Sequence, residues 1–332
     1  MRASGRGDGK GYSLWILPLG IFLFTLLVSG CVHSKTKLEL AETYYNLGNV
    51  YAELGQWEDA SKAYLRAVEL DPSLRRAGYQ RALVYMEAEE YEKAEEQLTS
   101  LLSEDPENQK IQENLAWLYI RSGREDEARR LYENILERNP ADCDVRYNFA
   151  LLEAEEERWE STRDILDECL RYEAADGEIY RLLGKAGMEL GEEEGVGFLE
   201  KAYEEDSSLP GIEKELAAAY RKVEQYESAV DMYDNIIRKI EDTEEDTKEA
   251  GKYYFEKAYI YFTAMEDYER GEEALAEALE KGFRDEEELA SLASFPRLLD
   301  PERILDILEE YDIELPDEPL EDERGDDLDE SG

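Results

Sequence analysis

Pro72, Pro106 and Pro140 recur every 34 residues, each behind an aspartate or asparagine: Asp71, Asp105 and Asn139. Other residues return in the same register. Small side chains stand at Gly48, Ala82 and Ala116, and again at Ala60, Ala94 and Ala128. Large ones stand at Tyr51, Tyr85 and Tyr119, and at Tyr64, Leu98 and Tyr132. From residue 37 onward the chain is a run of amphipathic helix signals. A segment of this length cannot bury its apolar face alone, whereas stacked copies join their faces into one core.

A 34-residue period with small residues at the eighth and twentieth places resembles the tetratricopeptide repeat, in which two antiparallel helices form each unit. Residues 41–74 lie close to that pattern, with Leu47-Gly48, Tyr51, Trp57, Ala60, Tyr64, Ala67 and Pro72. Gly48 and Ala60 then fall where the two helices cross, and the tyrosines fill the groove between one hairpin and the next. Gly55 and Gly123 end first helices, where left-handed geometry is wanted. Later units drift. The fourth starts at Cys143 and has Thr162 where alanine is usual; the fifth starts at Gly177 and slips register by about a residue. Gly195 and Gly197 make its second helix the weakest stretch, each costing roughly 1 kcal/mol of helix propensity. A sixth unit near Pro210 and a seventh from about Gly251 flank a polar joint at residues 241–249.

The resemblance implies an all-α chain: a superhelical solenoid of about seven helical hairpins over residues 41–283. Capping helices are expected at 284–312, where residues 285–294 and 301–311 can each form a short helix over the exposed end of the stack. Residues 313–332 are dense in charge, have too little to bury and read as a disordered acidic tail.

The first thirty residues differ in kind. Arg2, Arg6 and Lys10 precede the apolar run LWILPLGIFLFTLLV at 14–28, which is short for a bilayer crossing and suits a signal peptide. The block Leu27-Val28-Ser29-Gly30-Cys31 resembles the lipobox of bacterial lipoproteins. That likeness implies cleavage after residue 30, lipid on the Cys31 thiol and a tether over 31–40. Val32 is not the aspartate associated with inner-membrane retention, so the periplasmic face of the outer membrane is the expected location. An uncleaved signal anchor is the alternative. His33, the single histidine, is read as a linker residue.

A net charge of -46 repels nucleic acid, so no nucleic-acid partner is expected. Carboxylates are so numerous that a pair of them carries no information about acid–base work, and the cysteines have no imidazole partner in a folded unit. No phosphate-cradling loop precedes a strand and helix. No catalytic residue, metal ligand or cofactor is expected, and the chain is not read as an enzyme.

In the tetratricopeptide family the first helices line the concave wall. Carrying its inward positions over gives a protein-binding groove of Tyr45, Asn49, Tyr79, Leu83, Trp117, Tyr147 and Leu151, alongside Met86, Lys110 and Arg121. Rigid aromatic surfaces of this kind supply affinity in peptide grooves, although the rings can equally pack against neighbouring helices. Arg181, Lys185, Lys214, Arg221 and Lys222 would form a basic strip suited to a carboxylate-rich segment, or simply pair with local glutamates. Phe255, Tyr259 and Phe262 make a further aromatic group. Cys143 and Cys169 occupy the first and twenty-seventh places of the fourth unit, near one end of a helix pair, and either bridge or stay as buried thiols.

Fold and anchor together suggest a membrane-anchored scaffold or adaptor with protein or peptide partners in a cell-envelope assembly. A periplasmic ligand-binding or transporter-associated component, or a structural spacer, are the alternatives.

Overall fold

The computed structural model describes residues 36–243, 247–296, 298, 301–313 and 315. Cys31, His33, the apolar run at 14–28 and nearly all of the acidic tail lie outside the described residues. The described residues are helical throughout, with no strand. They fall into two compact units divided between Pro140 and Ala141.

The first unit holds α1 (36–53), α2 (Trp57–Leu70), α3 (Arg75–Glu87), α4 (Tyr91–Glu104), α5 (Gln109–Arg121) and α6 (Glu125–Arg138). Helix therefore begins at residue 36, inside the stretch expected to be tether. The second unit holds four further hairpins: α7 (Cys143–Glu155) with α8 (Trp159–Arg171), α9 (Gly177–Glu189) with α10 (Glu194–Glu205), α11 (Ile212–Lys222) with α12 (Tyr226–Thr243), and α13 (Thr247–Thr263) with α14 (Tyr268–Glu280). Two short helices, α15 (Glu286–Ala293) and α16 (Pro301–Glu310), follow. Leu289, Leu292, Ile304 and Leu308 bury themselves in the same apolar cluster as α13 and α14, which is how the last hairpin is covered.

Each hairpin is built around the residues that recur in the sequence. Ala60, Ala94, Ala128 and Thr162 are wholly buried at the helix crossings, and Tyr64, Leu98, Tyr132 and Leu166 pack beside them. Thr162 is tolerated because its hydroxyl donates to the Arg158 carbonyl one turn back at 3.1 Å, so no buried polar group is orphaned. In the fifth hairpin the crossing residue is Gly195. A Cβ there would stand 2.7 Å from the Met188 nitrogen and 2.8 Å from the Gly184 carbonyl oxygen, and one on Gly187 would stand 2.8 Å from the Gly195 Cα. The glycine that weakens α10 as a helix is what lets α9 and α10 touch backbone to backbone.

First helices end in one recurring way. The Gln56, Glu90, Arg124, Arg158, Glu192 and Gln225 amides each donate to the carbonyl five residues earlier, at 2.8 to 2.9 Å. The residue before each of them takes left-handed geometry: Gly55, Glu89, Gly123, Glu157, Gly191 and Glu224. Glutamate carries a Cβ penalty there that glycine does not. Replacing Glu89, Glu157 and Glu224 together by glycine is expected to stabilise the chain, by about 0.5–1 kcal/mol per site. A thermal melt of the triple variant that falls below wild type would contradict that assignment.

The polar joint proves shorter than expected. α12 runs to Thr243 and α13 starts at Thr247, so helix covers most of 241–249. Ile240, on the extra turn of α12, packs partly buried against the apolar cluster that holds Ile236 and Ile237.

Candidate functional site

Within the first unit, α3 and α5 bring part of the expected groove together. The Asn114 side-chain amide donates to the Tyr79 hydroxyl at 2.7 Å, tying the two helices at one rung. One turn further along each helix stand Leu83 and Trp117, so the four side chains share one face. Trp117 is 41% exposed, an unusual state for so large an apolar ring, while Tyr79 and Leu83 are half-buried. The Tyr91 ring meets Trp117 edge-on at 5.9 Å and the Arg121 guanidinium lies 5.8 Å from its centroid. These contacts fix the indole plane yet leave a large part of it open. A cleft of about 300 Å³ adjoins Tyr79, lined by Arg75, Arg76, Leu101, Asn108 and Lys110.

Tyr45 and Asn49 are spent inside the first hairpin. Tyr64 donates its hydroxyl to the Asn49 side-chain oxygen at 2.8 Å, and burial, with Tyr45 and Glu53 nearby, pushes the Tyr64 phenol up to about 12. It therefore stays protonated and keeps donating. Tyr45 packs on Tyr64 with ring centres 5.9 Å apart and is covered by the Arg76 guanidinium at 4.6 Å. Tyr147 and Leu151 belong to the second unit. There the Tyr147 hydroxyl donates to Glu178 at 3.3 Å, and burial together with that carboxylate pushes its phenol up to about 12.

Three of the five cations of the basic strip are matched by acids from the next repeat. Arg181 grips Glu215 through two nitrogens at 2.8 and 2.5 Å, Lys214 meets Glu249 at 3.3 Å, and Arg221 meets Glu256 at 2.7 Å. Lys222 donates to the Met188 carbonyl at 2.7 Å, and Lys185 lies 5.4 Å from the Trp159 ring centre. Bonding to Glu215 holds the Arg181 guanidinium firmly protonated. The same one-repeat spacing pairs Arg76 with Glu42 in the first unit. The signal was present in the sequence: an acid of opposite sign stands 34 or 35 residues from Arg76, Arg181, Lys214 and Arg221. The exposed pairs of Lys214 and Arg76 contribute little stability each, while those of Arg181 and Arg221 are partly buried. The pairs neutralise Arg181, Lys214 and Arg221, whereas Lys185 meets a ring and Lys222 a backbone carbonyl.

Of the third aromatic group, Phe255 and Phe262 are core: Phe255 stacks on Phe283 at 4.5 Å and Phe262 meets Tyr268 edge-on. Tyr259 lies partly exposed against Phe295. Cys143 and Cys169 are joined by a disulfide, with their Cα atoms 5.6 Å apart across the α7–α8 hairpin. A second cleft, of about 320 Å³, is lined by Arg163, Asp167, Phe198, Gly187 and Gly195 and includes none of the expected residues. Burial raises the Asp167 carboxyl above its ordinary range. Among the described residues no group of His, Cys, Asp or Glu side chains could hold a metal ion, and no helix is long and apolar enough to cross a membrane.

These features define an all-α repeat protein whose hairpins pack consecutively around small residues. Residues 41–74 and 85–152 match models of the tetratricopeptide repeat. The fold is similar to a tetratricopeptide repeat protein from Parabacteroides merdae, at 17% identity and a TM-score of 0.52, over 83% of this chain and 100% of that one. It is similar also to the C-terminal part of a repeat-containing protein from Cytophaga hutchinsonii, at 13% identity and a TM-score of 0.59, over 79% of this chain and 99% of that one. PilW, a widely conserved type IV pilus biogenesis factor, matches at 17% identity and a TM-score of 0.50, over 59% of this chain and 92% of its own. No curated protein matches the chain. Proteins built from these repeats generally serve as protein-interaction scaffolds.

Proposed function

We propose that the chain is a lipid-anchored adaptor of the bacterial cell envelope that holds a protein or peptide partner on the α3–α5 face of Tyr79, Leu83 and Trp117. The observation that carries this reading is the exposed Trp117 indole, held in plane by Tyr91 and Arg121 on a first-helix face. A rigid aromatic ring with one open side is the kind of residue that dominates binding energy at interfaces. The apolar run ending in Ser29-Gly30-Cys31 supports anchoring. The Cys143–Cys169 bridge supports an oxidising compartment outside the cytosol.

Tyr79→Ala with Trp117→Ala is expected to weaken capture of the partner at least about tenfold, the effect of losing a hot-spot residue. Co-purification after in-cell crosslinking measures it, with far-UV circular dichroism as the folding control. A partner recovered equally by both proteins would remove the site from this face. For the anchor, Cys31→Ser should abolish incorporation of labelled fatty acid and leave the leader uncleaved. Unchanged labelling would place the lipid elsewhere.

A further inference from the structure

We propose that the cleft formed by α8, α9 and α10 in the second unit seats a primary alkylammonium, its alkyl stem against Leu170, Leu183 and Phe198 and its ammonium between Asp167 and Glu194. Glycine makes the room. Gly187 on α9 and Gly195 on α10 line the cleft with no side chain to fill it, leaving about 320 Å³ open beside the place where these two backbones touch. That volume stands at the lower end of the range of about 300–1,000 Å³ typical of ligand pockets.

The charged groups of the lining divide into those already engaged and those left over. Arg163 bonds Glu192 at 2.6 Å and lies 3.5 Å from Asp164, and Arg171 bonds Glu168. Both guanidiniums therefore have acids of their own. Asp167 and Glu194, which also line the cleft, make no hydrogen bond or ion pair with any described residue. Lys201, a further cation close by, lies over the Tyr180 and Phe198 rings at 5.5 and 5.4 Å and bonds neither carboxylate. Asp167 is half-buried, and its loss of water raises the carboxyl by more than the fields of Arg163 and Arg171 lower it. Glu194 stands near enough to add to that rise. What the lining lacks is a positive group for these two carboxylates.

The lining also selects the kind of cation. No group of His, Cys, Asp or Glu side chains among the described residues could hold a metal ion, so the two carboxylates suit an organic cation. Leu170, Leu183 and Phe198 supply an apolar wall that a fully hydrated ion would leave unused and that a chain of methylenes buries on. The net charge of -46 draws every cation towards the chain, and the wall is what favours one with an alkyl stem. A free diamine and the lysine side chain of a partner share this chemistry.

The test is saturation-transfer NMR on the full-length chain in deuterated detergent, with pentylammonium as the probe and about 0.15 M salt to screen loose counterions. Transfer to the probe's methylene protons is expected, at least fivefold above that to pentanol or pentanoate at the same concentration. Asp167→Asn with Glu194→Gln should lower it at least fivefold with helical content unchanged. Glu286→Gln with Glu287→Gln, which removes as much charge from the exposed start of α15, should leave it unchanged. Glu194→Gln alone, on an exposed side chain, should lower it at least twofold, which keeps the test decisive if Asp167→Asn disturbs α8. No transfer, equal transfer to pentanol, or the same loss from both pairs of substitutions overturns the proposal. The source is read in cells with a photoactivatable residue in place of Arg171. A protein adduct lost with Glu194→Gln assigns the ammonium to a partner's lysine, and its absence beside intact pentylammonium binding assigns it to a free amine.

Discussion

Cys169→Ala is expected to cost the second unit about 3–4 kcal/mol, the loop-closure entropy removed from the unfolded chain by a bridge across 26 residues. The bridge sits in a cluster with Ala150, Leu166, Ile179 and Leu183, and Cys169 itself is wholly buried. Loss of the bridge should therefore raise hydrogen exchange first in α7 and α8, ahead of the rest of the chain. Treating the wild-type protein with reductant under conditions that open the bridge should reproduce the variant. If the variant and wild type melt together without reductant, the two thiols are free in the protein as it exists. A thiol count on unfolded, unreduced protein separates the cases independently: neither Cys143 nor Cys169 should react.

Gly195→Ala and Gly197→Ala should move stability in opposite directions. Helix propensity alone favours alanine at both, by about 1 kcal/mol. At Gly197 nothing lies within 4 Å of the new methyl, so that gain is realised. At Gly195 the methyl meets the Met188 nitrogen at 2.7 Å and the Gly184 carbonyl at 2.8 Å, both backbone atoms that yield only if α9 and α10 part. Overpacking of this kind reaches about 3 kcal/mol, leaving a net loss of about 2 kcal/mol after the propensity gain. Denaturant melts of the two single variants measure the difference. Equal stabilisation of both would mean that α9 and α10 do not cross where the structure puts them.

This glycine also shows where a reading of the sequence reached its limit. Residue-by-residue propensity marks Gly195 as a weakness in the repeat. Its place two helices deep, where Ala60, Ala94 and Ala128 stand in earlier hairpins, marks it as the closest crossing of the series. The period of 34 made the hairpins and their small and large core positions legible, because those positions are set by helix geometry that every unit shares. The left-handed turn was legible at Gly55 and Gly123 and hidden at Glu89, Glu157 and Glu224, where an acidic residue occupies the same backbone geometry.

The groove was legible only in part, and for a related reason. Register says which way a side chain points and says little about what will meet it. Tyr45 and Asn49 sit at inward positions, yet the neighbouring Tyr64 hydroxyl and Arg76 guanidinium engage them. Trp117, at an equivalent position, meets the Tyr91 ring edge-on and the Arg121 guanidinium and stays 41% exposed. The basic strip was visible as a run of cations, whereas their partners lay one repeat away, beyond the local window in which charge balance is usually judged.

The central claim is that the partner sits on the α3–α5 face. The most direct measurement places a photoactivatable residue at Leu83, between Tyr79 and Trp117, and compares its adducts in intact cells with those from the same probe at Leu65 on α2. A discrete protein adduct is expected from Leu83, absent from Leu65 and lost with Trp117→Ala. Matching adducts from both positions, or a Leu83 adduct indifferent to Trp117, would contradict it.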